Sequence, residues 1–294
     1  MSHRVLVCGA GGQLGQELLF TRPGHWECFA RDRTALDIAD PDQIASALEE
    51  TAAQWVINAA AFTAVDAAET DREGAWQGNA VGPGRLAEAC HTRGVRLLHI
   101  STDFVFDGEQ GRPYGPEDAP NPLGVYGHSK LEGERAVLGV GGEALVIRTG
   151  WVYSRHGSNF VKTMLRLMAE RDVLSVVEDQ VGTPTWARGL AEACWDLIEC
   201  KATSGIYHWS DAGVCSWYDF ALAIAELAQD LGLLDRAADI TPISSRDYPT
   251  PALRPAYSVL DKSRIRQLLG QPNRHWRAQL KAMLRDLHNK ETSN

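Results

Sequence analysis

Little in this chain of 294 residues favours a membrane, a metal or a nucleic acid. No apolar run approaches the ~20 residues that a membrane-spanning helix requires. The six cysteines, Cys8, Cys28, Cys90, Cys194, Cys200 and Cys215, include no C-x-x-C pair and have no histidine cluster beside them. That speaks against a zinc site and for free thiols. Basic charge is in deficit: 29 Lys and Arg against 38 Asp and Glu leave a formal net charge of -9. Phosphate backbones select basic surfaces, so a nucleic-acid partner is not expected. An anionic small ligand is still allowed, because local N–H groups and a few arginines can hold one. Repeats and low-complexity tracts are absent. The opening "MSHRVLVCGAGG" enters a strand-like run at once and leaves no room for a leader with a cleavage site. A cytoplasmic location is therefore the expectation.

What is present is strand–helix alternation. Hydrophobic residues make up 44% of the chain, enough for a proper core. Strands are expected at 4–8, 26–30, 55–58, 95–101 and 144–148, with helices at 13–20, 40–50, 84–94 and 126–138 between them. Asp40 reads as an N-cap before Pro41. Short, continuously apolar strands in this alternation predict a parallel sheet covered on both faces, an α/β doubly wound fold. "GNAVGPGRL" (78–86) resists that pattern, and its Gly-Pro-Gly predicts a kinked or restarted helix. After about residue 150 the rhythm loosens. Helices are expected at 159–171, 186–200, 216–231, 261–269 and 275–288, and strands at 173–177 and 205–210. "TPISSRDYPTPALRPAYSVL" reads as a long Pro-rich loop, a kind that is usually functional.

"VLVCGAGGQLGQEL" places Gly9, Gly12 and Gly15 after the first strand and at the start of the first helix. Glycines permit a tight turn and close backbone approach, and the helix N-terminus offers N–H groups to a pyrophosphate. The spacing is G-x-x-G-x-x-G, which alone also fits a structural turn; its position favours dinucleotide binding. The second strand ends in "ARDR". Asp32 suits the ribose 2′-OH of NAD, and Arg31 and Arg33 suit the 2′-phosphate of NADP. Two arginines around one acid favour NADPH, with NADH left open.

Tyr126 and Lys130 in "VYGHSK" share a helix face at i and i+4. A nearby ammonium is expected to lower the phenol pKa and make a proton donor near neutrality. Such pairs also arise by chance on many helices. "ISTDF" (100–104) raises the pair's significance, because Thr102 ends the fourth strand where open parallel sheets hold ligands. Its hydroxyl can polarise a carbonyl together with Tyr126.

These features in this order resemble the extended short-chain dehydrogenases. "GGQLGQEL", "NAAAFTAVDAAE", "STDFVFDG", "NPLGVYGHSKLEGE", "RTGWVY", "NFVKTMLRL", "DQVGTPT" and "YPTPALRPAYSVL" resemble the dTDP-4-dehydrorhamnose reductase family from about residue 4 to 288. The resemblance implies a Rossmann-like NADP(H)-binding domain at 1–150, with the 186–200 helix returning to it. A smaller, mainly substrate-binding α/β region follows at 151–294. It implies catalytic roles for Tyr126, Lys130 and Thr102, and cofactor contacts at Gly12, Gln13, Leu14, Asp32, Asp37, Ile38, Ala61, Phe62 and Thr63. Lys130 would also hold the nicotinamide ribose. Thr102, Asp103 and Trp151 would line the sugar site, and Arg254 would meet the diphosphate, as guanidinium–phosphate pairing allows. The substrate implied is a dTDP-6-deoxy-4-ketohexose and the product dTDP-L-rhamnose.

Two positions depart from the family. Phe104 stands where many relatives have tyrosine, with a small expected effect on substrate placement. Some relatives bridge a dimer through a metal held by acidic residues. Glu17 matches one such position, but Arg188 stands where another acid would be. A homodimer without a bridging metal is the resulting expectation. Two rivals remain: a 4,6-dehydratase or 4-epimerase with bound NAD, and a non-catalytic reductase-like subunit. Phe104 counts against dehydration, which needs an acid there. Intact Thr102, Tyr126 and Lys130 count against the second.

Overall fold

The computed structural model describes residues 3–270 and 273–292. Its first half runs β1 (His3–Cys8), α1 (Gln13–Phe20), β2 (Trp26–Arg31), α2 (Pro41–Thr51), β3 (Trp55–Asn58), α3 (Val65–Ala68), α4 (Arg72–Trp76), α5 (Gly82–Thr92), β4 (Arg96–Thr102), α6 (Val125–Gly139) and β5 (Ala144–Thr149). The strands form a parallel sheet in the order β10-β5-β4-β3-β1-β2, in which β10 (Gly205–His208) enters from the second half.

Strand periodicity explains why both faces are covered. In β1, Val5 and Val7 point into one core and Leu6 and Cys8 into the other. Ile57, Leu98, Leu145 and Ile147 join the first core; Val56, Leu97, Ala144 and Val146 join the second. The first is closed by Leu14 and Leu18 of α1 and by Leu190, Cys194 and Leu197 of a later helix, α8 (Ala187–Glu199). The second is closed by Ile44 and Leu48 of α2, Leu86 of α5 and Val137 of α6. Each strand buries alternate residues on opposite sides, so the run is apolar without interruption.

The chain reverses direction across the sheet between β1 and β3, the place where open α/β sheets bind ligands. The glycine loop follows β1 and the segment containing Ala61–Thr63 follows β3, so both border this crevice.

The second half continues with β6 (Val152–Tyr153), α7 (Phe160–Glu170), β7 (Val173–Val177), β8 (Val181–Gly182), β9 (Thr185–Trp186), α8 (Ala187–Glu199), β10, β11 (Cys215–Ser216), α9 (Trp217–Asp230), β12 (Asp239–Ile243), α10 (Ser263–Leu269) and α11 (Trp276–Thr292). Faces of α7, α9 and α11 close a separate core around Tyr153, Met164, Phe220, Ile224 and Met283. Ser216 caps α9 through a reciprocal pair with Asp219.

Three stretches differ from the sequence reading. Residues 65–76, unassigned by pattern, form α3 and α4. The Gly-Pro-Gly stretch is not a restart: α4 passes through a π-helical turn (Gln77–Val81) into α5, and all of these residues keep right-handed helical backbone. Pro83 is tolerated at the head of α5 because the widened turn has already displaced the regular bonding. Thr241–Ile243, expected in the Pro-rich loop, end β12 instead and pair in parallel with β7. No helix of the described residues is long and apolar enough to cross a membrane.

Candidate active site

The glycine loop has the shape a pyrophosphate cradle requires. Gly9 has φ 76°, and a Cβ there would lie 2.5 Å from the Ala60 backbone nitrogen. Gly12 begins α1 with no side-chain cap, so the first N–H groups, those of Gln13 and Leu14, face outward. Gln13 Oε1 accepts from Asn159 Nδ2 at 2.9 Å, tying the loop to the start of α7. Asp32 lies across the loop from Gly11 and caps its own turn, accepting from Thr34 N at 2.9 Å and Thr34 Oγ1 at 2.7 Å. Those bonds hold the Asp32 carboxyl below the ordinary range. The two expected arginines are not equivalent. Arg31 is engaged by Glu50 at 2.9 Å, whereas Arg33 has no partner among the described residues. These features fit a dinucleotide, with Arg33 the freer cation for a 2′-phosphate. Asp37 turns the chain into α2, accepting from Ala39 N at 2.9 Å, and Ile38 is buried beneath Gly82.

The segment after β3 is held by a residue that pattern reading missed. Asn79, fully buried in the π-turn, accepts the Phe62 N–H at 2.8 Å and donates to the Phe62 carbonyl at 3.0 Å. Its amide also donates to Ser129 Oγ at 3.1 Å, and Ser129 donates to the Tyr126 carbonyl at 2.9 Å. One amide thus joins the expected cofactor segment, with Ala61 and Thr63 on either side of Phe62, to the expected catalytic helix. Gly133 is required for this approach, since a Cβ there would fall 2.0 Å from the Asn79 carbonyl oxygen. The signal available in the sequence was the awkward Gly-Pro-Gly itself.

Thr102, at the end of β4, and Tyr126 and Lys130, on the first turns of α6, come together on one side of the sheet edge. Thr102 Oγ1 donates to Asp103 Oδ1 at 3.2 Å and accepts from Phe104 N at 3.2 Å. The Tyr126 ring meets Phe104 edge-on, centroids 5.5 Å apart. Glu69 Oε1 accepts the Val125 N–H at 2.8 Å, capping α6, which has no cap from its own N-cap residue Gly124. The Pro-rich lead-in therefore delivers the chain, while a carboxylate from α3's C-terminal end anchors the helix.

The electrostatics differ from expectation at Tyr126. Burial pushes the phenol up to about 12, the Asp103 charge adds to this, and a hydrogen bond with Thr102 opposes it. The downward pull expected from Lys130 does not set the value here. Lys130 is itself buried, which lowers its ammonium to about 8, and Nζ donates to the Ile100 carbonyl at 2.6 Å. Burial raises Asp103 to about 6, against hydrogen bonds from Ser258 and Thr102. Behind Lys130, Glu134 and Arg148 form a bidentate pair at 2.9 and 2.7 Å with both side chains 2% exposed.

Trp151 has φ 51°, an unusual backbone for a bulky residue, and lies flat on Trp217 at 3.5 Å with a 4° angle between the rings. Arg254 is bound to Asp66 rather than projecting freely. Glu17 is fully buried and accepts from Arg188 Nε and Ser154 Oγ, each at 2.9 Å, while Arg188 Nη2 reaches Asp286 at 2.6 Å. Among the described residues no group of three or more His, Cys, Asp or Glu could hold a metal ion.

Comparison with known proteins gives this arrangement its context. Residues 3–289 match the family model described as RmlD substrate binding domain. The chain is 41% identical over 285 residues to a dTDP-4-dehydrorhamnose reductase of Aggregatibacter actinomycetemcomitans, covering 95% of this chain and 97% of the relative. A crystal structure of dTDP-4-dehydrorhamnose reductase from Bacillus anthracis in complex with NADP superposes with a TM-score of 0.92 at 34% identity, covering 97% of this chain and all of that one (100%). A UDP-glucose 4-epimerase of Thermus thermophilus in complex with NAD shares the fold, with a TM-score of 0.80 at 21% identity over 97% of this chain and 99% of that one. With the family model spanning nearly its whole length and reductases matching at this identity, the chain belongs to the dTDP-4-dehydrorhamnose reductase family.

Proposed function

We propose that the chain reduces the C4 ketone of dTDP-4-dehydro-6-deoxy-L-mannose to dTDP-L-rhamnose, using NADPH and accepting NADH as the second choice. The observation that carries this reading is the gathering of Thr102, Tyr126 and Lys130 at the sheet edge beside the glycine cradle. When bound, the reduced nicotinamide supplies the hydride for C4. Gly9, Gly12, Gln13, Leu14 and Gly15 would hold the pyrophosphate, Asp32 and Arg33 the adenosine ribose, and Asp37 and Ile38 the adenine, with Ala61, Phe62 and Thr63 adding cofactor contacts after β3.

Tyr126 gives its proton to the oxygen that becomes the alcohol. A phenol raised to about 12 stays protonated across the physiological range, so the donor form is always present. Thr102 would hold the same oxygen once its single hydroxyl proton, given to Asp103 in the free chain, turns to the substrate. Lys130, charged below about pH 8, stabilises the phenolate left behind. Trp151 and Asp103 would line the sugar site. Phe104 has no proton to offer, which disfavours dehydration. The reading places the chain in nucleotide-sugar biosynthesis in the cytoplasm, without a nucleic-acid partner. A homodimer, where it forms, does so without a bridging metal, because Arg188 already occupies Glu17.

The assay supplies the keto sugar nucleotide with each reduced cofactor and follows loss of cofactor absorbance. Faster oxidation of NADPH than NADH is expected. Binding of cofactor with no oxidation by any keto sugar nucleotide would return the chain to the non-catalytic alternative.

A further inference from the structure

Arg254 is a held residue, and the way it is held leaves one edge of it open. Nη1 donates to Asp66 Oδ1 at 3.0 Å and to the Ala252 carbonyl at 3.1 Å, and Nη2 donates to Asp66 Oδ2 at 2.7 Å. A guanidinium carries five N–H donors in a rigid planar fork. Three are thus committed: the end-on pair to Asp66 and the outer Nη1–H to Ala252. The Nε–H and the second Nη2–H have no partner among the described residues. Those two bonds run parallel along one side of the plane, the geometry of bidentate pairing with phosphate oxygens. Asp66 Oδ1 also accepts the Ala252 N–H at 3.2 Å, so one carboxylate fixes both the loop backbone and the side chain it carries. Asp66 is the second residue of α3, three residues after the segment expected to touch the cofactor and three before Glu69, which caps α6. Both side chains are partly exposed, Arg254 at 24% and Asp66 at 42%.

We propose that Asp66 is a positioning residue for diphosphate recognition: it takes the end-on fork of Arg254 and so presents the side-on fork, Nε and Nη2, to the diphosphate of the sugar nucleotide. This rests on the reductase reading above, in which Arg254 meets that group. In the alternative arrangement Asp66 would compete with the diphosphate for the same two nitrogens. The committed Nη1/Nη2 end and the open Nε/Nη2 side separate the two cases.

The test uses dTDP and thymidine as competitive inhibitors of turnover, which differ in the diphosphate alone. Parent turnover with the keto sugar nucleotide checks the underlying reading by itself. In Asp66→Asn, which keeps the size but loses the charge and one acceptor, the Ki of dTDP is expected to rise about tenfold, the scale of one charge-assisted pair. The Ki of thymidine, kcat and the NADPH Kd are expected to match the parent. Arg254→Gln should weaken dTDP at least as much, and the double variant no more than Arg254→Gln alone. If Arg254→Gln leaves dTDP binding unchanged, the role of Arg254 falls, and that of Asp66 with it. If Arg254→Gln weakens dTDP and Asp66→Asn does not, only the Asp66 proposal falls. Tighter dTDP binding in Asp66→Asn would make Asp66 a competitor, and equal loss for dTDP and thymidine would reduce it to a structural residue. Should Asp66→Asn fail to fold, Asp66→Glu, which moves the carboxylate by one methylene, is expected to show the same selective loss of dTDP.

Discussion

Helix α6 carries two kinds of buried polar group within three turns, and they behave oppositely. At its N-terminal end, Tyr126 is half-buried and Lys130 buried, neither with a charged hydrogen-bonding partner among the described residues, and desolvation moves both away from their charged forms. One turn further, Glu134 is just as deep but holds Arg148 through two hydrogen bonds and accepts a third from Ser101. A charge in a low-dielectric interior needs a partner or it neutralises. The Glu134–Arg148 pair satisfies itself. The N-terminal pair has only neutral partners, the Ile100 carbonyl and the Thr102 hydroxyl, and lies at the sheet edge, where a substrate and a cofactor can supply the charge that is missing.

The sharpest break of this contrast is Tyr126→Phe. Turnover should fall by roughly 10²–10⁴, the usual worth of a positioned general acid, with NADPH affinity unchanged in a binding titration. Surviving turnover would move the acid elsewhere. Next in size is Glu134→Gln, which strands the buried Arg148. Breaking one side of such a pair costs about 3–5 kcal/mol, to be read from denaturant unfolding. A loss below about 1 kcal/mol, the range of exposed pairs, would mean that the interior is wetter than the 2% exposures imply.

A smaller effect separates the two ends by pH. Lys130 is held near 8 in the folded chain and titrates near 10.5 when unfolded. Between these values the unfolded chain binds more protons, so this lysine's contribution to stability rises with pH across that window. Lys130→Met should lack that rise when unfolding free energies are compared at the two ends of the window. The smallest expected effect is at the helix start. Glu69→Ala removes the acceptor of the Val125 N–H and should lower stability by about 1 kcal/mol, as loss of a cap does. An unchanged melting temperature would show that α6 is held by packing alone.

Much of the fold was legible because its causes are local or periodic. Continuous apolar runs of strand length announced a sheet with two covered faces, and the cores confirm the alternation residue by residue. Asp40 announced a helix start, because a cap is a contact over two or three positions. The π-turn was legible as trouble but not as a solution. Gly-Pro-Gly argues locally for a break, and only packing against Gly133 and the bonds of Asn79 make a widened helix the better answer. The Tyr126 pKa was misjudged for a similar reason: spacing brings an ammonium near, but burial depth, invisible in spacing, dominates.

What the sequence by itself determined is the alternating chain, the glycine loop, the Tyr126–Lys130 face and the strand-end Thr102. Each follows from a period or a spacing of a few residues. The tertiary structure decided which charges are free to act. Glu17 against Arg188, Arg31 against Glu50 and Arg254 against Asp66 join residues 171, 19 and 188 positions apart. Such pairs depend on which elements the sheet order brings side by side. Coulomb attraction acts through space, and the chain records only order.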